Sequence, residues 1–307
     1  MTIAVGERRV RVTHPDRVVW PDSGTTKAEL IEYLLDVSDV LLPHLRGRAT
    51  MLWRFPEGIH GPGWFQAQCR SRPPWVSTHP IAGADGRTLE YCLIEEPATL
   101  AWLANLGTIE LHPHGWTIDR PTEPIGIVFD LDPGPGSGLV EAAIVAGRVH
   151  DRLLDDGLRP IVKTSGSLGL HVAAPVAHGG SFAGAKAYAR AVAEDLAADD
   201  PAHVTATSRR SERIKRIYID WIQNDRNRQL IAPYSPRATP VPNVSTPLVW
   251  DEVAAAADGD VLGLRPGFVD VLRRIEMLGD PWRLDVETAA PIPEGATAGE
   301  PRVHPRR

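Results

Sequence analysis

No stretch of the 307 residues comes near the eighteen or so consecutive apolar side chains that a membrane-spanning helix needs. The opening residues, Met1-Thr2-Ile3-Ala4-Val5-Gly6-Glu7, lack the basic-then-apolar order of a secretory signal, so a cytoplasmic setting is the expectation. Cysteine is scarce. Two residues, Cys69 and Cys92, exclude a multi-bridge disulfide framework and a four-thiolate zinc site, and both are expected as free thiols. Lysine is scarce too: only Lys27, Lys163, Lys186 and Lys215 are found among the 33 basic residues, and the rest are arginine. Arginine has the planar fork that suits phosphate, although a GC-rich genome produces the same bias. A net charge of −6 argues against a protein that coats nucleic acid wholesale. Two basic clusters nevertheless stand out, Arg8/Arg9/Arg11 and the run from Arg209 to Arg216.

The length suits one large or two modest domains, and no internal repeat is visible. Residues 8–21 read as a short basic strand and turn. Thr26 and Glu29 form a capping-box pattern ahead of helical apolar spacing that runs to Pro43. A strand is expected over Ala49–Phe55, then a Gly/Pro-rich loop, the aromatic pair Trp64-Phe65, a short helix over 97–106 and a strand over Thr108–His112. Further on, helices are expected over Ser137–Leu154, Phe182–Ala198, Thr246–Ala257 and Gly267–Leu278. Strands fall at Ile161–Thr164, Leu170–Val172 and Arg216–Trp221, and composition predicts a disordered tail from about Pro293. Mixed strands and helices with antiparallel-looking neighbours make the fold class α+β.

The most informative stretch is Ile125-Gly126-Ile127-Val128-Phe129-Asp130-Leu131-Asp132, stopped by Pro133-Gly134-Pro135-Gly136. It reads as a buried strand ending in two carboxylates. Alternation sends Asp130 and Asp132 from the same face, about 6.5–7 Å apart at Cα, a spacing that can hold one or two divalent cations. Asp and Pro-Gly also make ordinary strand-end turns. Two more strands end in capable residues: the Ser165–His171 turn, whose glycines free backbone N–H groups to cradle phosphate, and Asp220. Neither a Walker A loop nor a nucleophile elbow is present. A third acid arriving from a distant strand is what two-metal phosphoryl transfer requires.

In order, Asp-Leu-Asp-Pro-Gly (130–134), Lys-Thr-Ser-Gly-Ser-x-Gly-Leu-His-Val (163–172), Ile-Asp-Trp-x-Gln-Asn (219–224) and Ala-Pro-Tyr-Ser-Pro-Arg (232–237) resemble the polymerase domain of bacterial DNA ligase D, of the archaeo-eukaryotic primase superfamily. The resemblance runs from about His14 to Leu248. It implies a primase-polymerase fold, with an N-terminal sub-module over about 1–110 and a catalytic core over about 111–292. It implies metal-binding catalytic acids at Asp130, Asp132 and Asp220. Nucleotide contacts fall at His112, Ser165, His171, Arg213, Gln223 and Arg237. A 5′-phosphate cluster falls at His14, Arg17 and Lys27, with Arg54 beside it and Trp64 and Phe65 stacking on DNA. Expected cofactors are two divalent ions, manganese or magnesium. Expected partners are gapped or broken DNA bearing a 5′-phosphate, nucleoside triphosphates, and the end-binding and ligase proteins of break repair, with no membrane. The chain departs from the family at Leu168 and Trp53, where lysine is usual, and at His14, where asparagine is frequent.

A nucleotidyltransferase extending a 3′-hydroxyl is therefore the leading expectation. One rival is a DNA-end binding module with lapsed catalysis, motivated by Leu168 and Trp53. Another is a two-metal phosphoesterase using the same acids with His112 and His114, although imidazole is more typical of zinc or iron.

Overall fold

The apolar strand ending in Asp130 and Asp132 becomes, as Gly126–Pro133, an interior strand of a six-stranded sheet in the computed structural model, which describes residues 1–83, 86–286 and 289–293. The strands run in the order Val204–Thr205, Ile217–Asp220, Gly126–Pro133, Leu170–Pro175, Ile161–Thr164 and Pro247–Leu248. All neighbours are antiparallel except the first pair. Strict alternation decides which face each residue takes. Ile127, Phe129 and Leu131 are fully buried, each worth about 1.5–3 kcal/mol of burial. They pack against helices Leu139–Asp155 and Phe182–Asp199. Asp130 and Asp132 therefore leave from the opposite face.

Both helices follow from their sequences. Leu139, Ala142, Ala143, Ala146, Val149 and Leu153 form one apolar stripe, and Gly157 in the left-handed region (φ 79°) turns the chain out of the first helix. Ser181 caps the second by accepting from the Gly184 amide at 3.1 Å, and its alanine face (Ala185, Ala189, Ala193) lies flush on the sheet.

A second sheet is built from the N-terminal half. Thr50–Arg54 pairs along its length with Thr108–Pro113, and on its other side with Trp64–Gln66 and, through Thr50, with Thr88–Cys92. Thr88–Cys92 in turn pairs with Thr78–Ala82. Helices Lys27–Asp36 and Pro97–Asn105 pack on each other beside this sheet, in a core of their own. The Thr26/Glu29 capping box forms, with Glu29 Oε2 accepting from the Thr26 amide at 2.7 Å. The mixed α+β fold expected from sequence is the one observed.

Three local expectations are corrected. Helical spacing towards Pro43 is interrupted at Val37, which divides it into Lys27–Asp36, Ser38–Leu41 and a 3₁₀ turn at Leu42–His44. The helix expected from Thr246 starts at Trp250, because Thr246 is drawn into backbone bonding with Thr164 and Pro247–Leu248 pairs as a strand. The cysteines are not free thiols: Cys69 and Cys92 are joined by a disulfide, their Cα atoms 5.1 Å apart. The Cys69 amide donates to the Glu90 carbonyl, which lays the 66–69 segment along the Cys92 strand; spacing in the chain carried no sign of that pairing. The tail expected from about Pro293 lies, from residue 294 on, outside the described residues.

Candidate active site

Register builds the site. Asp130 is directly opposite Asp220 on one side and His171 on the other, and His171 is opposite Lys163. Directly opposed residues share a face with Cα atoms about 4.5–5.5 Å apart, so one row crosses the sheet: Asp220, Asp130, His171, Lys163. Asp132 leaves from the same face two residues on, opposite Tyr218. Three acids from two distant segments are thus brought together.

Each acid has different company. His171 Nε2 lies 3.2 Å from Asp130 Oδ1. Arg213 reaches to 3.9 Å from Asp132 Oδ2, and its guanidinium sits 3.8 Å over the Tyr218 ring. Asp220 Oδ1 accepts from the Tyr218 hydroxyl and the Ile222 amide, both at 3.0 Å. Burial pushes the Asp130 carboxyl up to about 6, against the pull of Lys163 and Arg237. Burial, then the charges of Asp130 and Asp220, push Asp132 up to about 7. Asp220 is raised by burial and by Asp130, with the Tyr218 hydrogen bond opposing. Burial holds His171 well below the usual imidazole range, and Lys163 well below the usual lysine value.

The opposite wall comes from the N-terminal sheet. Glu110 is fully buried, and its carboxylate gathers three donors. These are Arg237 Nη1 at 3.0 Å, the Ala238 amide at 2.9 Å, and His112 Nε2, which stands 2.8 Å away. One carboxylate so ties a strand of one sheet to the loop between the Ile217–Asp220 and Pro247–Leu248 strands of the other. Burial lowers the pKa of His112, and Glu110 partly offsets this. Arg213 and Arg237 each keep a buried Nε without a hydrogen-bond partner among the described residues, so both guanidiniums retain donors for an incoming anion.

Below this wall is the Ser165–Gly169 turn. Ser165 Oγ accepts from the Ser167 and Gly169 amides, each at 3.2 Å. A Cβ at Gly169 would lie 2.2 Å from the Leu131 carbonyl oxygen, so glycine is what lets the turn rest on the acid strand. Leu168 stands half exposed at its tip.

All the nucleotide-contact residues expected from sequence (His112, Ser165, His171, Arg213, Gln223, Arg237) line one cleft of about 330 Å³ with Asp130 and Asp132. Asp220 joins them through its pairing with Asp130. The expected DNA-contact residues lie apart, on the N-terminal half. Lys27 Nζ donates to the Thr13 and Asn105 carbonyls at 2.7 and 3.2 Å, and burial, then Arg17, lower its pKa. Arg17 Nη1 is bound to the Pro56 carbonyl and lies 3.4 Å from Glu57. His14 holds a left-handed backbone (φ 49°) in the same turn. Arg54 donates to the Leu106 carbonyl and to Gln66, and sits 5.5 Å from the Trp64 ring. Trp64 and Phe65 are exposed. Trp53 stacks on Phe65 with ring centroids 4.8 Å apart, and Phe65 and His112 meet edge to face at a centroid distance of 5.7 Å, so an aromatic ladder runs from that surface to the cleft.

Sequence reasoning missed Glu110 and Lys163. Each is the only charged residue in its strand, Thr-Ile-Glu-Leu-His-Pro and Ile-Val-Lys-Thr, and that isolation was the available signal.

Among the described residues, no three or more His, Cys, Asp or Glu side chains stand close enough to hold an ion as they are placed. The donor set nonetheless fits a divalent cation. It is entirely carboxylate oxygen, which suits magnesium or manganese over zinc, and the repulsion that Asp130 and Asp220 add to burial at Asp132 is one that a cation relieves. Also among the described residues, no helix is long and apolar enough to cross a membrane.

Residues 26–282 match the family described as LigD, primase-polymerase domain. The chain is 37% identical over 292 residues to the multifunctional non-homologous end joining protein LigD of Mycolicibacterium smegmatis, covering 94% of this chain and 37% of that protein. It is 36% identical to the LigD repair protein of Mycobacterium tuberculosis, covering 96% of this chain and 39% of that one. The chain therefore spans less than two fifths of these relatives. The solved polymerase domain of Mycobacterium tuberculosis ligase D in complex with DNA superposes with a TM-score of 0.85 at 35% identity, covering 92% of this chain and all of that one. The chain belongs to the LigD primase-polymerase domain family.

Proposed function

We propose that the chain is a DNA-directed nucleotidyltransferase that extends 3′-hydroxyl ends or fills short gaps in the course of double-strand break repair. The observation that carries this reading is the pairing of Asp130 with Asp220 across two strands, with Asp132 on the same face, beside a cleft that Asp130 and Asp132 line together with Arg213 and Arg237. Clustered acids that repel one another beside arginines with free donors suit a substrate that is itself a polyanion bound with cations.

In this reading Asp130, Asp132 and Asp220 hold divalent ions, manganese by preference, which when bound supply charge neutralisation at the triphosphate and a lowered pKa at the attacking hydroxyl. The 3′-oxygen of the primer attacks the α-phosphorus in line. A phosphodiester bond forms, the α–β bond breaks and pyrophosphate leaves. Arg213 and Arg237 offset the charge that develops on the phosphates. Ser165 and the amides of its turn grip the tail, and His171 donates through Nε2. His112, held by Glu110, closes the wall, and Gln223 contacts the nucleotide.

The N-terminal half presents DNA to this site. His14, Arg17 and Lys27 receive the downstream 5′-phosphate, with Arg54 beside them. Trp64 and Phe65 stack at the break, worth about 1–3 kcal/mol per base and indifferent to sequence. The structural match to a DNA-bound relative supports DNA as the partner. End-binding and ligase proteins of break repair are the expected protein partners. Primer extension with Mn²⁺ on a 5′-phosphorylated gap tests the reading. Wild type should add nucleotides and Asp132→Ala should not; equal product from both would remove Asp132 from the site. Salt-sensitive binding without incorporation under any metal would instead favour an end-binding module, for which the half-exposed Leu168 at the phosphate turn is the motive.

A further inference from the structure

Lys163 has no exposed surface at all. A lysine so deep in a protein ordinarily meets a carboxylate, yet the hydrogen-bond partners of this one are neutral side chains. Its Nζ is 2.8 Å from His171 Nδ1 and 2.6 Å from Ser245 Oγ. Ser245 Oγ spends its own proton on the Thr164 carbonyl, 2.9 Å away, so it accepts from the lysine. The face of Trp282 closes the remaining side, 5.4 Å from Nζ. The two N–H bonds these contacts need are present in amine and ammonium alike. Methionine or leucine would fill the same space without a polar group to satisfy. The arrangement therefore needs a reason beyond packing.

The reason lies on the far side of the imidazole. Which ring nitrogen carries the proton is set by the hydrogen bond that the other makes. An Nδ1 that accepts from Lys163 leaves the proton on Nε2, and Nε2 is the atom 3.2 Å from Asp130 Oδ1. The opposite tautomer would set two lone pairs against each other at that distance. Strand register fixes the geometry, because Lys163, His171 and Asp130 are direct cross-strand neighbours.

We propose that Lys163 is a positioning residue for nucleotidyl transfer: by donating to Nδ1 it locks His171 in the Nε2–H form, with that proton aimed at Asp130 and at the phosphates that share its side of the cleft. The proposal rests on the nucleotidyltransferase reading, but its central claim is measurable without nucleotide. The other explanation is a strut that only ties the Ile161–Thr164 strand to the Ser245 segment, and the test separates the two.

Long-range ¹H–¹⁵N spectra of the full chain with ¹⁵N-labelled histidine report the tautomer of each ring, and His171→Gln assigns the signal. Wild type should show His171 with a protonated Nε2 and an accepting Nδ1. Lys163→Met should give a mixed or reversed tautomer and lower the incorporation rate at saturating nucleotide by about 10–100-fold. Ser245→Ala, which removes the hydroxyl's bonds to Lys163 and to the Thr164 carbonyl but leaves the Lys163–His171 contact, should keep the tautomer and stay within about threefold of the wild-type rate. A folded Lys163→Met with the wild-type tautomer and rate would overturn the proposal, as would Ser245→Ala matching Lys163→Met in both readouts. Should Lys163→Met not fold, the wild-type spectrum still decides: Nδ1–H or an equal mixture there overturns the claim. A locked tautomer in a wild type that incorporates nothing would sink the nucleotidyltransferase reading, and with it the role assigned to Lys163, while a released tautomer in an active wild type sinks the role alone.

Discussion

The acid cleft and the basic surface of the N-terminal half handle charge in opposite ways. At the acid site burial raises all three carboxyls, Asp130 and Asp220 raise Asp132 further and Asp130 raises Asp220, and among the described residues two arginines keep a buried Nε without a hydrogen-bond partner. On the N-terminal half, Lys27 is met by two carbonyls, Arg17 by Pro56 and Glu57, and Arg54 by Leu106 and Gln66. Charge in the first region is left for something outside the chain to balance. In the second, these three cations already spend donors on groups of the fold, most of them neutral, while the rings of Trp64 and Phe65 stand exposed. A substitution in the first should therefore change chemistry more than stability, and one in the second the reverse.

Asp220→Asn is the sharpest test of that contrast. Asparagine keeps an oxygen for the Tyr218 hydroxyl and the Ile222 amide, so the turn after the strand is preserved while the charge is removed. Incorporation should fall by about 10³-fold or more, with the melting temperature unchanged or raised by the loss of like-charge repulsion. Single-nucleotide primer extension and a thermal melt check both halves. A variant within tenfold of wild type would take Asp220 out of the site. Next in size is Glu110→Gln, which belongs to both regions at once. An amide can accept from only part of the donor set that Glu110 now satisfies, so Arg237 and His112 lose a common anchor. Stability should drop by about 1–3 kcal/mol and incorporation by about 10²-fold, most of it recovered by no increase in nucleotide. Urea denaturation and rates at saturating substrate separate the two effects, and a loss confined to stability would make Glu110 mere scaffold.

Much of this was legible in the chain because strand alternation is a strict rule. Pro133-Gly134 ends the Asp130 strand, and a period of two puts both its acids on one face, whatever the rest of the fold does. The antiparallel register that sets Asp220 and His171 beside Asp130 is a tertiary fact with no local signature, so their convergence could be expected only from the motif order. Glu110 and Lys163 stayed hidden because their partners, Arg237 and Ser245, are remote in sequence. The Cys69–Cys92 bridge was missed for the same reason. The helix expected from Thr246 failed where a cross-strand contact with Thr164 overrode local helical spacing.

Lys27→Met probes the basic surface from the other direction. Removing the amine leaves the Thr13 and Asn105 carbonyls without their donor, and stability should fall by about 1–3 kcal/mol. Incorporation on a blunt primer should change little, while the advantage of a gap carrying a 5′-phosphate over one carrying a 5′-hydroxyl should shrink several-fold. A melt alongside paired gap substrates reads both. An undiminished phosphate preference would leave Lys27 as structural support alone.

The smallest expected effect is a slope. Asp130 and Asp132 are raised to about 6 and about 7 in the folded chain, against about 4 for a carboxylate in an unfolded one. Between those limits the folded state binds more protons than the unfolded state, so stability falls as pH rises from about 4 to about 7 and levels off above. The two acids titrate as a pair, so the slope belongs to both. Asp132→Asn removes the more strongly raised of the two and should flatten the wild-type slope by more than half. The same deprotonation that weakens the fold opens the site to cations. Mn²⁺ should therefore raise the melting temperature of wild type at pH 7.5 and much less at pH 5, through preferential binding to the folded state, and should barely move Asp132→Asn at either. Denaturation across that pH range with and without the ion reads all three. A wild-type slope of the opposite sign would mean that other titrating groups dominate this range and that the two buried carboxyls do not set it.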